Sequence, residues 1–398
     1  LLEEKAKNRK IVLATASHEK YAKNVCDEYD LFDSFISSDI NSNLKGEAKL
    51  LRIQSETKKF SYAGNSKEDF VIFDRSEESY LVNPTNNAKK LAVNSPTSKT
   101  FDDTPMTWMV WFRQLRVHQW AKNFLIFVPL IVSGQFLVEN SILSSVLGFI
   151  SFSCLASATY IINDLIDLEC DRRHPRKKNR PLAAGKISVV YANVAAFVLF
   201  FLAFTIASVL MDEFILVLAV YLIMTVTYSL KIKQYIGMDV IALASLYTLR
   251  IIAGAAILSV TLSFWLLSFS MFVFLSLAMI KRCAELKSFK REPNARISGR
   301  GYELADYFVL MSIGTSSAML SILMFCFYIN SNVLTDQYQK PILLWLVLPA
   351  FCYWMMIMWL KTNSGEMHDD PLVFSLKNKG SIVTIGFMGI IALLAQVL

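Results

Sequence analysis

Three aspartates and a run of bases form the stretch of this chain with the clearest chemical potential. Asp164, Asp167 and Asp171 are spaced i, i+3 and i+7, so on a helix their carboxylates project from one face. They follow an apolar segment ending at Ile162, where an acidic side chain is unfavourable unless it holds a cation. Six bases follow directly: Arg172, Arg173, Arg176, Lys177, Lys178 and Arg180. Carboxylates that carry Mg²⁺ beside fixed cations suit a bound diphosphate, so the stretch predicts a membrane enzyme acting on a diphosphate substrate.

The same stretch supplies a candidate metal site. Magnesium prefers oxygen ligands, and the predicted ligands are Asn163, Asp164, Asp167 and Asp171. The metal would neutralise the charge that develops on a diphosphate leaving group. A simpler interpretation is that the basic run only sets membrane topology by meeting anionic lipid. The adjoining carboxylates favour the catalytic interpretation.

Positive charge exceeds what one diphosphate needs. An aromatic acceptor requires an apolar slot, whereas a phosphate acceptor and a phosphorylated sugar require further cations. The candidate substrate-binding bases are Lys122, Arg172, Lys177, Lys178, Arg180, Lys231, Lys281 and Arg282. This surplus favours two phosphorylated substrates, one soluble and one lipid.

Several other polar residues have two open interpretations. Arg250 lies inside a predicted span, where an arginine either serves the site or forms a structural ion pair. Glu285 either pairs with Arg282 on one helix face or contacts substrate. Asp369 and Asp370 precede a proline and are expected to cap a helix or lie in a loop.

The composition indicates a membrane protein. The chain has 398 residues, of which 54% are hydrophobic, and its mean hydropathy is +0.41, too apolar for a soluble protein. About nine segments have membrane-crossing length. They lie near residues 124–138, 142–162, 189–210, 214–230, 239–258, 262–280, 307–328, 342–360 and 381–397. Residues 108–398 are therefore predicted to form an all-α, multi-pass membrane domain.

The bases between these segments indicate the orientation. If nine spans alternate, the loop bases of residues 105–398 fall on one side, and only Lys340 lies on the other. By the positive-inside rule the first side is cytoplasmic, so we expect a bacterial inner-membrane protein with its N-terminal part and catalytic loops in the cytoplasm. Residues 108–123 mix aromatics with bases and predict an interfacial helix on that side. We expect no nucleic-acid partner, and the oligomeric state stays open.

Residues 1–92 have a different pattern. Short apolar strands are predicted at residues 10–15, 35–36 and 60–63, with helices at residues 18–29 and 46–56. This alternation predicts an α/β domain with a parallel sheet. Residues 93–107 are polar, contain proline and are predicted to be a linker. Because the chain starts with leucine, we expect the native N-terminus to lie upstream.

Three motifs in this segment, IVLATAS, NLKGEAKL and YAGNSKEDF, resemble the haloacid dehalogenase-like (HAD) phosphatases. The resemblance implies that Thr15 binds phosphate and that Lys49 stabilises charge. It also implies that Asn65 and Asp69 lie near magnesium. The family's first motif, which supplies the aspartate nucleophile, is absent before Ile11. Without that carboxylate no aspartyl-phosphate forms, so we predict a partial HAD-like domain without phosphatase activity.

The aspartate motif and the nine-span layout resemble the UbiA superfamily of intramembrane prenyltransferases, over roughly residues 108–398. One branch matches best. QWAKN, HPRKKNRPLAAG, and YSLKIKQYIGMD with a following LRIIAGA resemble decaprenyl-phosphate phosphoribosyltransferases. These motifs add Asn123 to the substrate-binding candidates, and Lys231 and Asp239 to the catalytic ones.

The resemblance implies a Mg²⁺-dependent reaction. That branch transfers 5-phosphoribosyl from phosphoribosyl diphosphate (PRPP) to a polyprenyl phosphate and releases diphosphate. The alternative is an aromatic (4-hydroxybenzoate-type) prenyltransferase of the same superfamily. Those enzymes usually carry a second DxxxD motif, where this chain has Asp239 alone. A transporter is a third, less favoured interpretation, because the charges cluster at one face instead of the midplane.

Overall fold

The computed structural model describes residues 1–40, 42–92, 99–101, 107–174, 177–289, 301–331, 338–367 and 370–397. Asp369 and Arg176 lie outside these residues. The chain forms two compact units that divide between Thr107 and Trp108.

The first unit is a small α/β domain with two parallel sheets. Its elements are α1 Leu2–Ala6, β1 Val12–His18, α2 Glu19–Glu28, β2 Ser34–Ser38, α3 Glu47–Glu56, β3 Ser61–Gly64, α4 Phe70–Phe73, β4 Glu78–Val82, α5 Asn86–Ala92 and β5 Lys99–Phe101. β1 pairs with β2, and β3 pairs with β4, both in parallel. Ile36, Ile53, Ile72 and Leu81 lie in one buried apolar cluster. The predicted alternation of strands and helices is confirmed.

β5 lies within the stretch predicted as a linker. It pairs in parallel with β4, with Lys99 opposite Tyr80 and Phe101 opposite Val82. All three of its residues are exposed, so backbone hydrogen bonds hold it at the sheet edge and no buried apolar pattern marks it. At residues 99–101 the structure therefore replaces the predicted linker with a strand. Apart from Thr107, the rest of that stretch lies outside the described residues.

The second unit is an all-helical bundle. Its α-helices are α6 Trp108–Gln114, α7 Val128–Val132, α8 Ser141–Ile166, α9 Leu168–Arg173, α10 Val189–Ser208, α11 Asp212–Leu230, α12 Met238–Leu258, α13 Phe264–Phe289, α14 Tyr307–Ile329, α15 Val347–Ser364, α16 Pro371–Lys377 and α17 Lys379–Val397. Among the described residues, eight helical segments are long and apolar enough to cross a membrane. The chain is an integral membrane protein, and the predicted all-α membrane domain is confirmed.

The first predicted span, residues 124–138, is not one long helix. Val117–Phe127 forms a 3₁₀-helix that continues directly into α7. A 3₁₀-helix rises about 2.0 Å per residue and an α-helix about 1.5 Å, so Val117–Val132 spans roughly 30 Å, the thickness of the hydrocarbon core. The hydrophobic period that predicts α-helices does not reveal such a stretched helix.

The two ends of this stretch lie at opposite ends of the bundle. Gln114, just before it, donates a hydrogen bond to Asp164 near the end of α8. At its other end, Gln396 near the end of α17 donates to the carbonyls of Ile131 and Val132, at 2.6 and 3.1 Å. The short segment therefore traverses the bundle as a ninth crossing.

The predicted interfacial helix, residues 108–123, is interrupted. α6 ends at Gln114, and Arg116 has a left-handed backbone with φ +52°. The 3₁₀-helix begins at the next residue. This break lets Gln114 and Arg116 both reach Asp164.

One glycine lets the ninth crossing pack closely against α12. A Cβ on Gly254 would lie 2.0 Å from the carbonyl oxygen of Ile126. Real Cβ atoms do not approach backbone oxygen so closely, so only glycine fits at this position.

Candidate functional site

The aspartate motif lies where α8 ends. α8 ends at Ile166, α9 begins at Leu168, and Asp167 lies at the junction with φ −86° and ψ 5°. The predicted single helix is therefore interrupted at the middle aspartate, and the three carboxylates do not form one continuous ladder.

Asp164 and Asp171 come together through a shared arginine. Nη1 of Arg180 lies 3.1 Å from Asp164 Oδ1 and 2.5 Å from Asp171 Oδ2. Arg116 Nη2 also contacts Asp164 Oδ1, at 2.6 Å, and Gln114 donates to Asp164 Oδ2 at 3.1 Å. Both carboxylates are buried. We call these five residues the acidic-motif cluster.

Asp167 has a separate set of partners. Asn163 donates to its Oδ2 at 3.1 Å, and Nζ of Lys233 lies 3.9 Å from the same oxygen. Its side chain is partly exposed. Two of the predicted metal ligands thus contact each other, and their partners differ from those of Asp164 and Asp171.

The donor chemistry of the motif fits Mg²⁺. Oδ1 of Asp171 is buried without a hydrogen-bond partner, and Nζ of Lys177 lies 3.8 Å from it. A buried carboxylate oxygen without a donor suits a hard divalent cation. The described residues contain no ready-made group of three acidic, histidine or cysteine side chains around a metal position, and Arg180 contacts both Asp164 and Asp171.

A second charged group, the Asp370 cluster, consists of Lys122, Tyr247, Lys281 and Asp370. Nζ of Lys122 lies 2.7 Å and Nζ of Lys281 lies 3.4 Å from Asp370 Oδ2. The hydroxyl of Tyr247 donates to the same oxygen at 3.1 Å. The three partners come from the 3₁₀-helix, α13 and α12, so they converge only in the folded bundle.

Asp370 also caps α16, since its Oδ1 accepts a hydrogen bond from the backbone N–H of Leu372 at 3.3 Å. The predicted capping role is therefore confirmed. Burial alone would raise the pKa of Asp370, but the charges of Lys281 and Lys122 and the hydrogen bonds from Lys122 and Tyr247 outweigh it. They hold the pKa of Asp370 well below its usual range.

Arg250 lies next to the Asp370 cluster. Its Nε donates to Asn123 Oδ1 at 2.9 Å, and its Nη1 donates to the carbonyl of Leu246. Its guanidinium carbon lies 5.5 Å from the centre of the Tyr247 ring, and the Nζ of Lys122 lies 5.6 Å from the same centre. Among the described residues no carboxylate lies within ion-pair distance of Arg250.

A third group, the Asp239 cluster, consists of Tyr228, Asp239, Arg282, Glu285 and Tyr302. Nε of Arg282 contacts Asp239 Oδ2 at 2.6 Å, its Nη1 contacts Glu285 at 2.7 Å, and its Nη2 donates to Tyr228 at 3.1 Å. Tyr302 donates to the other oxygen of Asp239. Asp239 is 0% exposed and Arg282 is 1% exposed. Of the two interpretations of Glu285, the structure shows its pairing with Arg282.

The remaining predicted bases lie on the surface of this unit. Arg172, Lys178 and Lys231 are exposed, and they follow α8 and α11. Lys177 is about half exposed. Their position allows them to attract an anion from solution, but they do not define a pocket by themselves.

In the first unit, the structure brings together three of the four HAD-motif residues. Nζ of the buried Lys49 lies 3.4 Å from Asp69 Oδ1. The backbone N–H of Asn65 donates to Asp69 Oδ2 at 3.1 Å, and Tyr62 donates to Oδ1 at 3.0 Å. Thr15 lies in β1, where its hydroxyl accepts from the N–H of Ser17 at 3.1 Å.

Sequence reasoning missed several partners of the predicted residues. It did not single out Arg116, Gln114, Tyr228, Tyr247 or Tyr302 as site residues. Gln114, Arg116, Tyr247 and Tyr302 contact aspartates 48 or more positions away in the chain. Tyr228 accepts a hydrogen bond from Arg282. Only the tyrosines and glutamine within otherwise apolar helices offered a signal, since buried polar groups require partners.

Two family models match the chain. Residues 125–378 match the UbiA prenyltransferase family, and residues 1–92 match the NLI interacting factor-like phosphatases. The two resemblances predicted from the motifs are thereby confirmed.

Three relatives illustrate the range of similarity. An uncharacterized protein of Sinorhizobium fredii is 35% identical over 379 residues, which are 94% of this chain and 73% of the relative. Nodulation protein NoeC of Azorhizobium caulinodans is 32% identical over 282 residues, 70% of this chain and 90% of the relative. The decaprenyl-phosphate phosphoribosyltransferase of Mycobacterium tuberculosis is 36% identical over 183 residues, 45% of this chain and 61% of that protein.

Solved structures share the fold at low identity. A UbiA homolog from Archaeoglobus fulgidus, bound to DMAPP and Mg²⁺, has a TM-score of 0.55 at 18% identity and covers 72% of this chain and 99% of that one. A digeranylgeranylglyceryl phosphate synthase structure has a TM-score of 0.51 at 14% identity, with 72% and 97% covered. These similarities show the helical fold alone.

Proposed function

This chain belongs to the UbiA prenyltransferase family, and we propose that within it the enzyme transfers 5-phosphoribosyl from PRPP to a polyprenyl phosphate and releases diphosphate. The observation that carries the proposal is the presence of two distinct charged groups at one end of the bundle. The acidic-motif cluster offers carboxylates and arginines to a metal-bound diphosphate. The Asp370 cluster and Arg250 offer further cations, which an aromatic acceptor would not need.

The relatives support the same choice. Among them are phosphoribosyltransferases that act on decaprenyl phosphate, matched over 45% of this chain. The other two relatives described above carry no substrate in their names. The proposal about substrates therefore rests on the charge pattern together with this partial similarity.

The residues that would hold Mg²⁺ are Asn163, Asp164, Asp167 and Asp171. Bound there, the metal would supply charge neutralisation to the diphosphate leaving group. In this proposal Arg180 turns from the two carboxylates to the diphosphate oxygens, and Arg116 keeps Asp164 in place. Lys177 and the exposed bases draw PRPP from the cytoplasm.

The reaction is a substitution at the anomeric carbon of PRPP. A lipid phosphate oxygen forms a bond to that carbon, and the bond from the carbon to the diphosphate oxygen breaks with its electron pair leaving on diphosphate. The nucleophile is already ionised at neutral pH, so the protein need not supply a general base. Its contribution is to position two anions close together and to stabilise the charge that develops.

The reaction is proposed to occur at the cytoplasmic face of a bacterial inner membrane. The basic loops fall on the side of the aspartate motif, which agrees with the positive-inside rule. PRPP is soluble and phosphorylated, so it reaches the motif from that side. The polyprenyl tail would lie among the helices, with its phosphate at the end of the bundle that holds the motif.

The test is a donor comparison on the purified full chain. With Mg²⁺, PRPP and a short polyprenyl phosphate, we expect release of diphosphate and a phosphoribosylated lipid detectable by mass spectrometry. Diphosphate release only from a prenyl diphosphate with an aromatic acid would show instead an aromatic prenyltransferase.

A further inference from the structure

The Asp370 cluster does not balance its charge. Lys122, Lys281 and the nearby Arg250 are three cations, and Asp370 is the one carboxylate that the described residues place against them. The acidic-motif cluster sets two carboxylates against two arginines, with Nζ of Lys177 a further 3.8 Å from Asp171. A surplus of two positive charges among apolar helices is unfavourable unless an anion joins them.

The cations around Tyr247 are gathered at one place. Lys122 and Arg250 both lie within 5.6 Å of the centre of the Tyr247 ring, and the Tyr247 hydroxyl contacts Asp370 at 3.1 Å. Lys122 and Arg250 are 8% and 5% exposed. A buried lysine and a buried arginine gathered near one carboxylate form a preorganised anion site.

A phosphate monoester fits this charge. It carries a charge of about −1.5 to −2 near pH 7 and offers three acceptor oxygens, so it can replace the single charge of Asp370 against the three cations. Two substrates of the proposed reaction contain such a group: the polyprenyl phosphate and the 5-phosphate of PRPP. The buried position of Lys122, on a 3₁₀-helix that crosses the bundle, favours the lipid.

We propose that Lys122, Lys281 and Arg250 bind the monophosphate of the polyprenyl acceptor, and that Asp370 is a tethered anion which occupies this site until the lipid phosphate displaces it. This inference rests on the proposed function. The acidic-motif cluster then serves the diphosphate of the donor, so the two substrates have separate anion sites at the same end of the bundle.

The test is direct binding of farnesyl phosphate to the purified full chain, without PRPP and without Mg²⁺, near pH 8. Farnesol and ribose 5-phosphate are the parallel ligands. We expect Lys122→Gln and Lys281→Gln each to weaken farnesyl phosphate binding at least tenfold, and Asp370→Asn to strengthen it at least threefold. Asparagine is a good helix N-cap, so Asp370→Asn retains the cap on α16.

Lys287→Gln is the matched control. Lys287 lies further along the same helix as Lys281 and outside the cluster, so its replacement should leave binding unchanged. Unchanged or weaker binding by Asp370→Asn would overturn the role of Asp370 as a competing anion. Binding of ribose 5-phosphate with no binding of farnesyl phosphate would assign the site to the sugar and overturn the lipid assignment.

The binding measurement separates this inference from the donor assignment. If farnesyl phosphate binds with the predicted variant pattern but PRPP gives no diphosphate, the proposed donor is wrong and the acceptor site stands. If PRPP is consumed normally but the lysine variants bind farnesyl phosphate like the unmodified chain, the acceptor site is wrong.

Discussion

The Asp239 cluster and the acidic-motif cluster both set aspartate against arginine. They differ in whether every carboxylate oxygen has a hydrogen-bond partner. Both oxygens of Asp239 accept hydrogen bonds, and all three contacts of Arg282 end on oxygens. In the acidic-motif cluster, Oδ1 of Asp171 is buried without a hydrogen-bond partner. A saturated buried pair favours a structural role, whereas an unsatisfied oxygen is open to a ligand. The two clusters therefore predict opposite outcomes for stability and activity.

The largest effect is expected for Arg282→Met. It would leave Asp239 buried without its cation, and breaking a buried pair in this way costs about 3–5 kcal/mol. Thermal unfolding of the purified protein in detergent should show a large drop in Tm. The double variant Asp239→Leu with Arg282→Met removes both charges and should recover most of the loss. A single variant that unfolds like the unmodified protein would contradict a structural role.

Asp171→Asn tests the other side of the comparison. The substitution removes the negative charge that Asp171 offers to magnesium and to Arg180. The rate of phosphoribosyl transfer should therefore fall by about 10²-fold or more, the effect of losing one preorganised electrostatic contact. Diphosphate release with PRPP measures it, and Tm should change little. Glu169→Gln on the same short helix is exposed and serves as the control. Full activity of Asp171→Asn would show that the unsatisfied oxygen is not a ligand site.

Gly254→Ala probes the crossing that holds Lys122 and Asn123 in place. The new Cβ would meet the Ile126 carbonyl, and such overpacking costs about 1–3 kcal/mol. Gly389→Ala in α17 is the matched control, because nothing lies within 4 Å of its added Cβ. It should stabilise slightly, by up to about 1 kcal/mol, through helix propensity. Equal Tm values for the two variants would argue against a close approach.

The smallest effect concerns the first unit. Burial would raise the pKa of Asp69, but hydrogen bonds from Ser66 and Tyr62 and the charge of Lys49 outweigh it, so its pKa is lowered. Asp69 therefore stabilises the folded unit at pH values above its unfolded-state pKa of about 3.9. This stabilisation is lost as the pH falls through the lower pKa of the folded state. Hydrogen exchange of peptides covering β3 and β4 should rise below about pH 4. Asp69→Asn should weaken that pH dependence.

The sequence predicted the α/β segment, the all-α membrane domain and an aspartate motif that follows one of the apolar helices. These features depend on composition and on local spacing, which a single chain displays directly. It did not predict the ninth crossing as a 3₁₀-helix, because that geometry depends on the approach of Ile126 to Gly254. It also did not predict that Asp370 meets Lys122, since their partnership joins residues 248 positions apart. Long-range pairings of this kind are fixed by packing, and one sequence does not encode them visibly.

The 3₁₀ crossing has a repeat that matches its neighbours. Trp120 and Asn123 donate to Ser157 and Ser153 of α8, so a step of three residues on one side meets a step of four on the other. Asn123 and Ile126 likewise meet Arg250 and Gly254 of α12. Three residues of 3₁₀-helix and four of α-helix both advance roughly 6 Å, so successive contacts between the 3₁₀-helix and its two neighbours recur at the same spacing. Deleting a single residue between Trp120 and Ile126 would put the segment out of phase with both helices at once, so its length is as constrained as its side chains.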